Sequence, residues 1–235
     1  TLCFTSGGTE ADNMALHASV EQLGCRRILT CATEHKAVLT TAQHLAEEKG
    51  VAFGLLDLDS NGRIDLERLE ATLSDGVPTL VSVMHGNNEV GILQDIEAIG
   101  HCCHRHDALF HTDTVQTMGH YELDLASLPI DFAACSAHKL HGPKGAGFLY
   151  VRDGLRIGAH IMGGAQERAM RGGTENLIGI MGLATAFDLA MTDLEEHARH
   201  IRALKQEMVD GLKESVPGIR FNAGSDRRSE EHTSE

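Results

Sequence analysis

The chain has 235 residues, a length at which an α/β protein often folds as one large domain plus part of a second. Its residues are 42% hydrophobic, with 25 Gly, 4 Pro and no Trp, which is typical of a globular α/β protein and not of a disordered or fibrous one. The formal net charge of −14 at pH 7 argues against nonspecific binding to nucleic acid, and no apolar stretch has the length of a membrane span. Residues 1–10 lack the features of a signal peptide and the six cysteines form no CxxC pair, so reduced thiols and a cytoplasmic location are predicted.

Short apolar or β-branched runs alternate with segments of helical periodicity along the first two thirds of the chain. This alternation predicts βα units that build a mostly parallel sheet with helices on both faces. The predicted fold class is therefore α/β, a three-layer αβα arrangement. In "TEADNMALHASVEQL" (9–23), Thr9 and Asp12 resemble a capping box at the helix start. Strands are predicted at 26–32, 51–56, 79–84, 108–113, 131–137 and 147–151, and further helices at 65–73 and 95–106.

From about Gly173 the chain becomes nearly all helical, with helices predicted at 175–191 and 193–216. The second carries an apolar stripe at three- and four-residue steps, which is expected to be core. Residues 218–224 could open a strand of another domain. The stripe consists of Leu194, Ala198, Ile201, Leu204, Met208 and Leu212.

These sequence patterns suggest a division of the chain into three parts. Residues 1–190 would form a large domain, and 191–224 a long helix with only the start of a small domain. Residues 225–235 contain no apolar side chain to bury, so we expect a disordered tail or a scar of library origin.

Two short motifs suit an anionic, heterocyclic ligand. "FTSGGTEADN" (4–13) runs from a strand end through two glycines into a helix, where backbone N–H groups and the helix dipole favour phosphate. "HTDTVQ" (111–116) places Asp113 at the carboxyl end of a strand, where a carboxylate can keep a pyridine nitrogen protonated. Taken singly, the first motif is equally an ordinary turn and Asp113 is equally a helix N-cap.

A lysine follows the next strand along the chain. Lys139 lies in "SAHKLHGPKGAG" (136–147), and a lysine at a strand end in an α/β cleft can form a Schiff base with a carbonyl compound. The alternative is a surface lysine, as it is for Lys144 in the turn. An anion cradle, a partner for a pyridine nitrogen and an imine-forming lysine are the three attachments that pyridoxal phosphate needs, so this cofactor is predicted.

Six motifs in a fixed order make the chain resemble the cysteine desulfurases. These belong to the class V aminotransferase-like group of fold-type I enzymes, which depend on pyridoxal 5'-phosphate. The resemblance covers about residues 1–222 and implies the large domain of that fold. It rests on "FTSGGTEADN", "ATEHKAV", "MHGNNEVG", "HTDTVQ", "SAHKLHGPKGAG" and "GGAQERAMRGGTEN".

By this resemblance, Lys139 binds the cofactor covalently and Asp113 pairs with its pyridine nitrogen. His35 is similar to the histidine that stacks on the ring and is grouped with Lys139 as catalytic; a helix-capping or core histidine is the alternative. Thr174 is expected to touch the cofactor phosphate of the partner in a homodimer, and a helix start capped by Thr174 is the other interpretation. The remaining cofactor-binding residues are Gly8, Thr9, Ser136 and His138 at the phosphate, Asn88 at the phenolic oxygen, and Gln116 nearby.

The resemblance also implies a reaction. L-cysteine would give its sulfur to a catalytic cysteine, leaving L-alanine and an enzyme persulfide that serves a sulfur-acceptor protein in iron–sulfur cluster or thio-cofactor biosynthesis. In the family that cysteine lies in a later loop, and none of the six cysteines here matches it. We therefore expect a fragment without the sulfur-accepting half and without the arginine for the substrate carboxylate. Selenocysteine lyase and other class V enzymes are close alternatives.

Two further alternatives are not enzymatic. The chain as given could be an inactive scaffold fragment. The 15 histidines and "HCCHRH" (101–106) suggest a metal binder, with His101 and His104 as helical neighbours. Solvated surface histidines are far commoner than such a site, and no metal ligand is predicted.

Overall fold

The computed structural model describes residues 1–221, and its centre is a seven-stranded sheet. The strands are β1 (Leu2–Thr5), β2 (Arg27–Thr30), β3 (Ala52–Leu55), β4 (Thr79–Ser82), β5 (Leu109–Asp113), β6 (Phe132–Ser136) and β7 (Gly147–Val151). Their order across the sheet is β1-β7-β6-β5-β4-β2-β3. Strands β2 to β6 pair in parallel, whereas β7 is antiparallel to both of its neighbours. The prediction of an α/β fold with a mostly parallel sheet is confirmed.

Helices connect the strands and continue beyond the sheet. They are α1 (Gly8–Glu21), α2 (Lys36–Lys49), α3 (Leu66–Leu73), α4 (Ile96–Arg105), α5 (Gln166–Ala169), α6 (Leu177–Thr192) and α7 (Leu194–Ser215), with a 3-10 turn at Ala137–Leu140. Every strand and helix delimited in the sequence is present, with ends shifted by a few residues. The sequence analysis did not delimit β1, α2 or α5.

The sheet is covered on both faces, as predicted, because neighbouring residues of a strand point to opposite sides. Leu80 of β4 packs into a cluster with Met14 of α1 and Leu45 of α2. Val81, the next residue, packs into a second cluster with Ile99 of α4. Burying a side chain of this size contributes about 1.5–3 kcal/mol, so these two cores hold the three layers together.

Helix α1 begins differently from the prediction. Its N-cap is Gly7, with φ of 151°, and no side chain caps the first turn. The proposed capping box of Thr9 and Asp12 is therefore wrong, since Asp12 is only 1% exposed and points inward. The interpretation of Thr174 as a cap is also wrong: Asn176 is the N-cap of α6, and its Oδ1 accepts a 3.1 Å hydrogen bond from Gly179 N.

The two C-terminal helices pack less than their sequence suggests. The stripe on α7 was expected to be core, but Leu204 is 52% and Met208 59% exposed, and Val209 is the buried residue of that helix. Residues 218–221 form no strand, and the rest of the 218–224 segment and the 225–235 tail lie outside the described residues. The division into domains stays a prediction.

Within residues 1–221, no single helix is both long and apolar enough to cross a membrane. Helices α6 and α7 meet those criteria only as a pair, and they are bent by 68° at their junction.

The six cysteines are free and buried, as the sequence analysis expected of small apolar residues. Burial raises the pKa of the Cys31 and Cys135 thiols to about 12, so these thiols stay protonated at neutral pH.

The backbone around Gly147 at the start of β7 is closely packed. A Cβ at this residue of β7 would lie against the carbonyl oxygen of Cys135 and 2.7 Å from the Cα of Gly7, and neither backbone can move away. We expect Gly147→Ala to destabilise the full-length protein by about 2–4 kcal/mol, measured by denaturant unfolding. The control is Gly211→Ala in α7, which meets open space and should be neutral or up to about 1 kcal/mol stabilising. Equal stability of wild type and Gly147→Ala would refute this view of the packing.

Candidate active site

A cavity of about 340 Å³ lies at the carboxyl ends of the central parallel strands, the usual location of ligands in α/β sheets. Nine of the ten residues that the sequence analysis selected line this cavity: Gly8, Thr9, His35, Asn88, Asp113, Gln116, Ser136, His138 and Lys139. Three further residues line it that the sequence analysis did not select, namely Asp12, Met84 and Val115.

Thr174 is the selected residue that lies elsewhere. It lines a neighbouring cavity of about 190 Å³ together with Ser6 and Arg171. The expected contact of Thr174 with a partner's cofactor stays a prediction.

One end of the main cavity is rich in hydrogen-bond donors. No side chain caps the first turn of α1, so the N–H groups of Gly8 and Thr9 point to the cavity end without a side-chain acceptor. Ser136 Oγ lies 2.8 Å from His138 Nδ1 beside them, and Lys144 lines the adjoining opening. Backbone N–H groups, a hydroxyl, an imidazole and an ammonium group suit an anion with several oxygens, such as a phosphate.

Asp113 forms the floor of the cavity, at the end of β5. Its side chain is buried, and its Oδ1 accepts a 2.8 Å hydrogen bond from Val115 N, so the side chain closes a tight turn instead of capping a helix. Burial, followed by the nearby charge of Asp12, raises the pKa of Asp113 to about 7. A cationic ring nitrogen placed beside this carboxylate would offset both effects and favour the ionised form.

Lys139 lies in the 3-10 turn directly after β6 and lines the cavity. Its carbonyl oxygen lies 3.0 Å from His120 Nε2, which fixes the backbone of the turn. The short connection brings the lysine to the same sheet edge as Asp113 because β5 and β6 run in parallel.

His35 caps a helix, as one interpretation of the sequence had it, and it also lines the cavity; its stacking on a cofactor ring stays a prediction. Its Nδ1 accepts a 3.1 Å hydrogen bond from Ala37 N and caps α2, and the same ring lines the cavity. Since Nδ1 is the acceptor, the hydrogen of the neutral ring lies on Nε2. The cap therefore sets both the orientation of the ring and its tautomer.

Asn88 lies in an exposed loop after β4, and its neighbour Asn87 holds that loop in place. Asn87 Nδ2 donates to Thr33 O at 2.7 Å, and its Oδ1 accepts from Glu89 N and Val90 N at 2.8 Å. The support comes from the loop that precedes α2, which the sequence alone did not connect with Asn88.

Asp12 is the main residue of the site that sequence reasoning missed. Its Oδ1 lies 3.4 Å from His111 Nε2, and neither atom has a hydrogen-bond partner in the described part of the chain, whereas His111 Nδ1 lies 2.8 Å from Ser82 Oγ. Burial raises the pKa of Asp12 to about 8 and lowers that of His111 to about 4. A signal was available: Asp12 shares a helix face with Ala15 and the other buried residues of α1.

Glu34 is a second buried acid at the rim of the same region. Its Oε1 accepts hydrogen bonds from Met84 N at 2.5 Å and from the Cys31 thiol at 3.2 Å. Burial raises its pKa well above the usual range, and the charges of Asp113 and Asp12 add to the effect.

The metal-binding alternative finds no support among residues 1–221, where no group of three His, Cys, Asp or Glu side chains is arranged to hold a metal ion. Within "HCCHRH", Cys102 and Cys103 pack into the core beneath α4. His104 Nε2 lies 3.1 Å from the buried Asp131 Oδ2, and His101 lies 3.9 Å from Glu97 on the surface. The motif is the C-terminal end of the amphipathic helix α4 and its cap.

The model of the class-V aminotransferase family matches residues 1–234, and the chain belongs to this family. Among curated relatives, it is 39% identical over 230 residues to the cysteine desulfurase IscS of Pseudoalteromonas translucida, covering 96% of this chain and 56% of that protein. It is 41% identical over 231 residues to the cysteine desulfurase IscS of Vibrio vulnificus, covering 97% and 56%. The chain thus spans little more than half the length of these relatives.

Solved structures show the same likeness. A NifS-like protein superposes with a TM-score of 0.85 at 41% identity, covering 91% of this chain and 59% of that one. DndA from Streptomyces lividans superposes with a TM-score of 0.86 at 34% identity, covering 96% and 64%. The resemblance to the desulfurase group that the motifs indicated is confirmed at the level of sequence and fold.

Asp12 makes the stability of the cofactor-free protein depend on pH. The pKa of this carboxyl is about 8 in the folded protein, against 3.8 in the unfolded chain, so the folded protein binds the proton more tightly. The resulting stabilisation is lost as the pH rises from about 4 to about 8. Asp12→Asn cannot ionise. We expect the unfolding free energy of this variant to gain at least about 2 kcal/mol relative to wild type between pH 5 and pH 8.5.

Denaturant unfolding at both pH values measures this difference. The control is Asp210→Asn on the exposed surface of α7, which should follow wild type at both. If the wild-type and Asp12→Asn stabilities changed in parallel with pH, the carboxyl of Asp12 would not carry its proton in the folded protein.

Proposed function

We propose that the full-length protein is a pyridoxal-phosphate-dependent cysteine desulfurase, which converts L-cysteine to L-alanine and leaves the sulfur as an enzyme persulfide for an acceptor protein. The observation that carries the proposal is the convergence of Lys139, Asp113 and the donor-rich helix start around one cavity. The identity of 39–41% to proteins named cysteine desulfurase supports the same reaction.

The residues of the cavity fit the cofactor. Its volume of about 340 Å³ is at the lower end of ordinary small-molecule sites. The donor set at one end suits a phosphate dianion, and the buried Asp113 suits a protonated pyridine nitrogen. When bound, pyridoxal phosphate supplies an aldehyde that combines with amines and a cationic ring that withdraws electrons from the substrate.

Each residue then has a definite task. Lys139 would hold the aldehyde of the cofactor through its amine, and its Nζ would take and return the substrate Cα proton when the substrate occupies the site. Asp113 would keep the ring nitrogen protonated, since a buried carboxylate gains most from a neighbouring cation. His35 would lie beside the ring with its Nε2–H available to the substrate, because its Nδ1 is occupied by the α2 cap.

The remaining donors orient the ligand. Gly8, Thr9, Ser136 and His138 would hold the phosphate, and Asn88 and Gln116 would reach the oxygen on the ring. The exposed loop of Asn88 also suits the entry of the substrate beside the cofactor.

We further infer a homodimer in which Thr174 reaches the partner's phosphate. Large apolar side chains are exposed on both sides of Thr174, with Met162 83% and Ile178 86% exposed, and Leu177 and Met181 lie beside the latter. Such a patch is typical of a protein–protein interface.

Two further proposals concern the domains and the location of the protein. The bend between α6 and α7 supports a domain boundary near residue 190. The six free thiols support a cytoplasmic location.

Replacement of Lys139 tests the assignment directly. The full-length protein loaded with pyridoxal phosphate should show a visible absorption band, and borohydride should trap the cofactor on Lys139. Lys139→Ala should lose the band and at least about 100-fold in the rate of alanine formation from L-cysteine. Lys49→Ala, at the exposed end of α2 where it pairs with Glu21, is the control and should keep both. A reduced adduct found on another lysine would overturn the assignment.

Replacement of Asp113 separates chemistry from binding. Asp113→Asn should still bind pyridoxal phosphate through the donor-rich end and Lys139, but its turnover should fall by about 100-fold or more because a neutral ring withdraws electrons poorly. Steady-state alanine formation and the visible spectrum measure the two effects. Turnover within a few-fold of wild type would mean that the Asp113 charge is not needed.

A further inference from the structure

An ion pair joins the first turn of α1 to the loop that carries Thr174. Arg171 Nε lies 2.9 Å from Glu10 Oε1, and its Nη2 lies 3.4 Å from Glu10 Oε2. Both side chains are largely buried, at 23% and 12% side-chain exposure. Glu10 Oε2 also accepts a 2.8 Å hydrogen bond from Ser6 N. None of the residues selected from the sequence belongs to this pair.

Glu10 lies where its negative charge would repel an anionic ligand. It lines the same opening as Thr9, Ser136 and His138, the donors that suit a phosphate. A carboxylate in the first turn of a helix is stabilised by the helix dipole, but here the same turn has to receive a second anion. Two anions at one helix start repel each other unless a cation neutralises one of them.

Arg171 is held at the position that provides this cation. The four residues of α5, just before Arg171, form a left-handed turn: Glu167, Arg168 and Ala169 all have positive φ, a conformation that costs each of them energy and persists only where the surroundings enforce it. Glu167 Oε2 accepts a 2.9 Å hydrogen bond from Phe4 N of β1, which ties this turn to the edge of the sheet. Beyond it, Gly172 N donates to Ile161 O at 2.8 Å. The guanidinium thus reaches Glu10 from a fixed backbone.

We propose that Arg171 is a positioning residue for the phosphate end of the cavity, which neutralises Glu10 so that the start of α1 can bind a phosphate monoester dianion. The inference rests on the proposed function for the identity of the ligand. The Glu10 carboxylate keeps the Ser6 backbone in place through its hydrogen bond, and Arg171 removes the repulsion that this carboxylate would otherwise exert. The same pair links the cradle to Thr174, three residues further along the chain.

Charge-changing variants of the full-length protein test the proposal by the sign of their effects. Arg171→Met should weaken the binding of pyridoxal phosphate by about tenfold or more, because Glu10 is left unpaired. The double variant Glu10→Gln with Arg171→Met should recover to within a few-fold of wild type, since the Gln side chain still accepts from Ser6 N. Glu10→Gln alone should bind as tightly as wild type or tighter. Equilibrium titration followed by the visible spectrum measures all four affinities.

Two controls separate the role of charge from a loss of structure. Pyridoxal, which lacks the phosphate, should bind Arg171→Met and wild type equally. Arg105→Met breaks an exposed pair with Glu70 on the opposite face of the sheet, and its affinity for pyridoxal phosphate should not change. If Arg171→Met does not fold, Arg171→Lys, which keeps the charge, should bind within a few-fold of wild type.

The outcomes are distinct. If the double variant is as weak as Arg171→Met, or if Glu10→Gln binds more weakly than wild type, the proposal is wrong and Arg171 acts through the loop or by contacting the phosphate itself. If the wild-type protein binds no pyridoxal phosphate, the proposed function fails. The affinities of the same variants for inorganic phosphate, measured by calorimetry, then still test the role of Arg171.

Discussion

The parallel pairing of β5 with β6 is the constraint on which the candidate site depends. Asp113 lies opposite Ala134, and Thr114 N continues the ladder by donating to Ala134 O at 3.1 Å. Both strands therefore end at the same edge, where a single tight turn brings Lys139 into the cavity lined by Asp113. A slip of one residue would turn the Asp113 side chain to the face covered by α3 and α4, and the carboxylate and the amine would no longer share a cavity.

The electrostatics of the cavity follow from the same packing. Helix α1 covers the face of the sheet on which Asp113 and His111 lie, and it brings its own acid, Asp12, into this layer. Removing water from these groups favours their neutral forms, and a cationic ring nitrogen beside Asp113 would restore its charge. At the donor-rich end of the cavity, α1 brings in Glu10, which pairs with Arg171. One helix thus sets the charge at both ends of the cavity.

Much of the fold was predictable because it depends on local patterns. The strand of residues 131–137 was delimited from a short continuous apolar run, and the helix of 95–106 from apolar residues at helical spacing. The strand ends that carry Asp113 and Lys139 were predictable for the same reason, since side chains that end parallel strands meet at one edge. The burial of the α7 stripe was not predictable, because an apolar residue at helical spacing, such as Met208, gives the same sequence pattern whether or not another surface covers it.

The amino-acid sequence by itself determined most of the strands and helices, the parallel sheet and nine residues around the cavity, because these depend on periodicity and on ordered motifs within short stretches. Only the tertiary structure decided that Asp12 contacts His111 and that Arg171 pairs with Glu10. These contacts join residues up to 161 positions apart in the chain, and their geometry depends on how helices and loops pack against the sheet. Burial and charge at such contacts are properties of packed neighbours, so no local pattern encodes them.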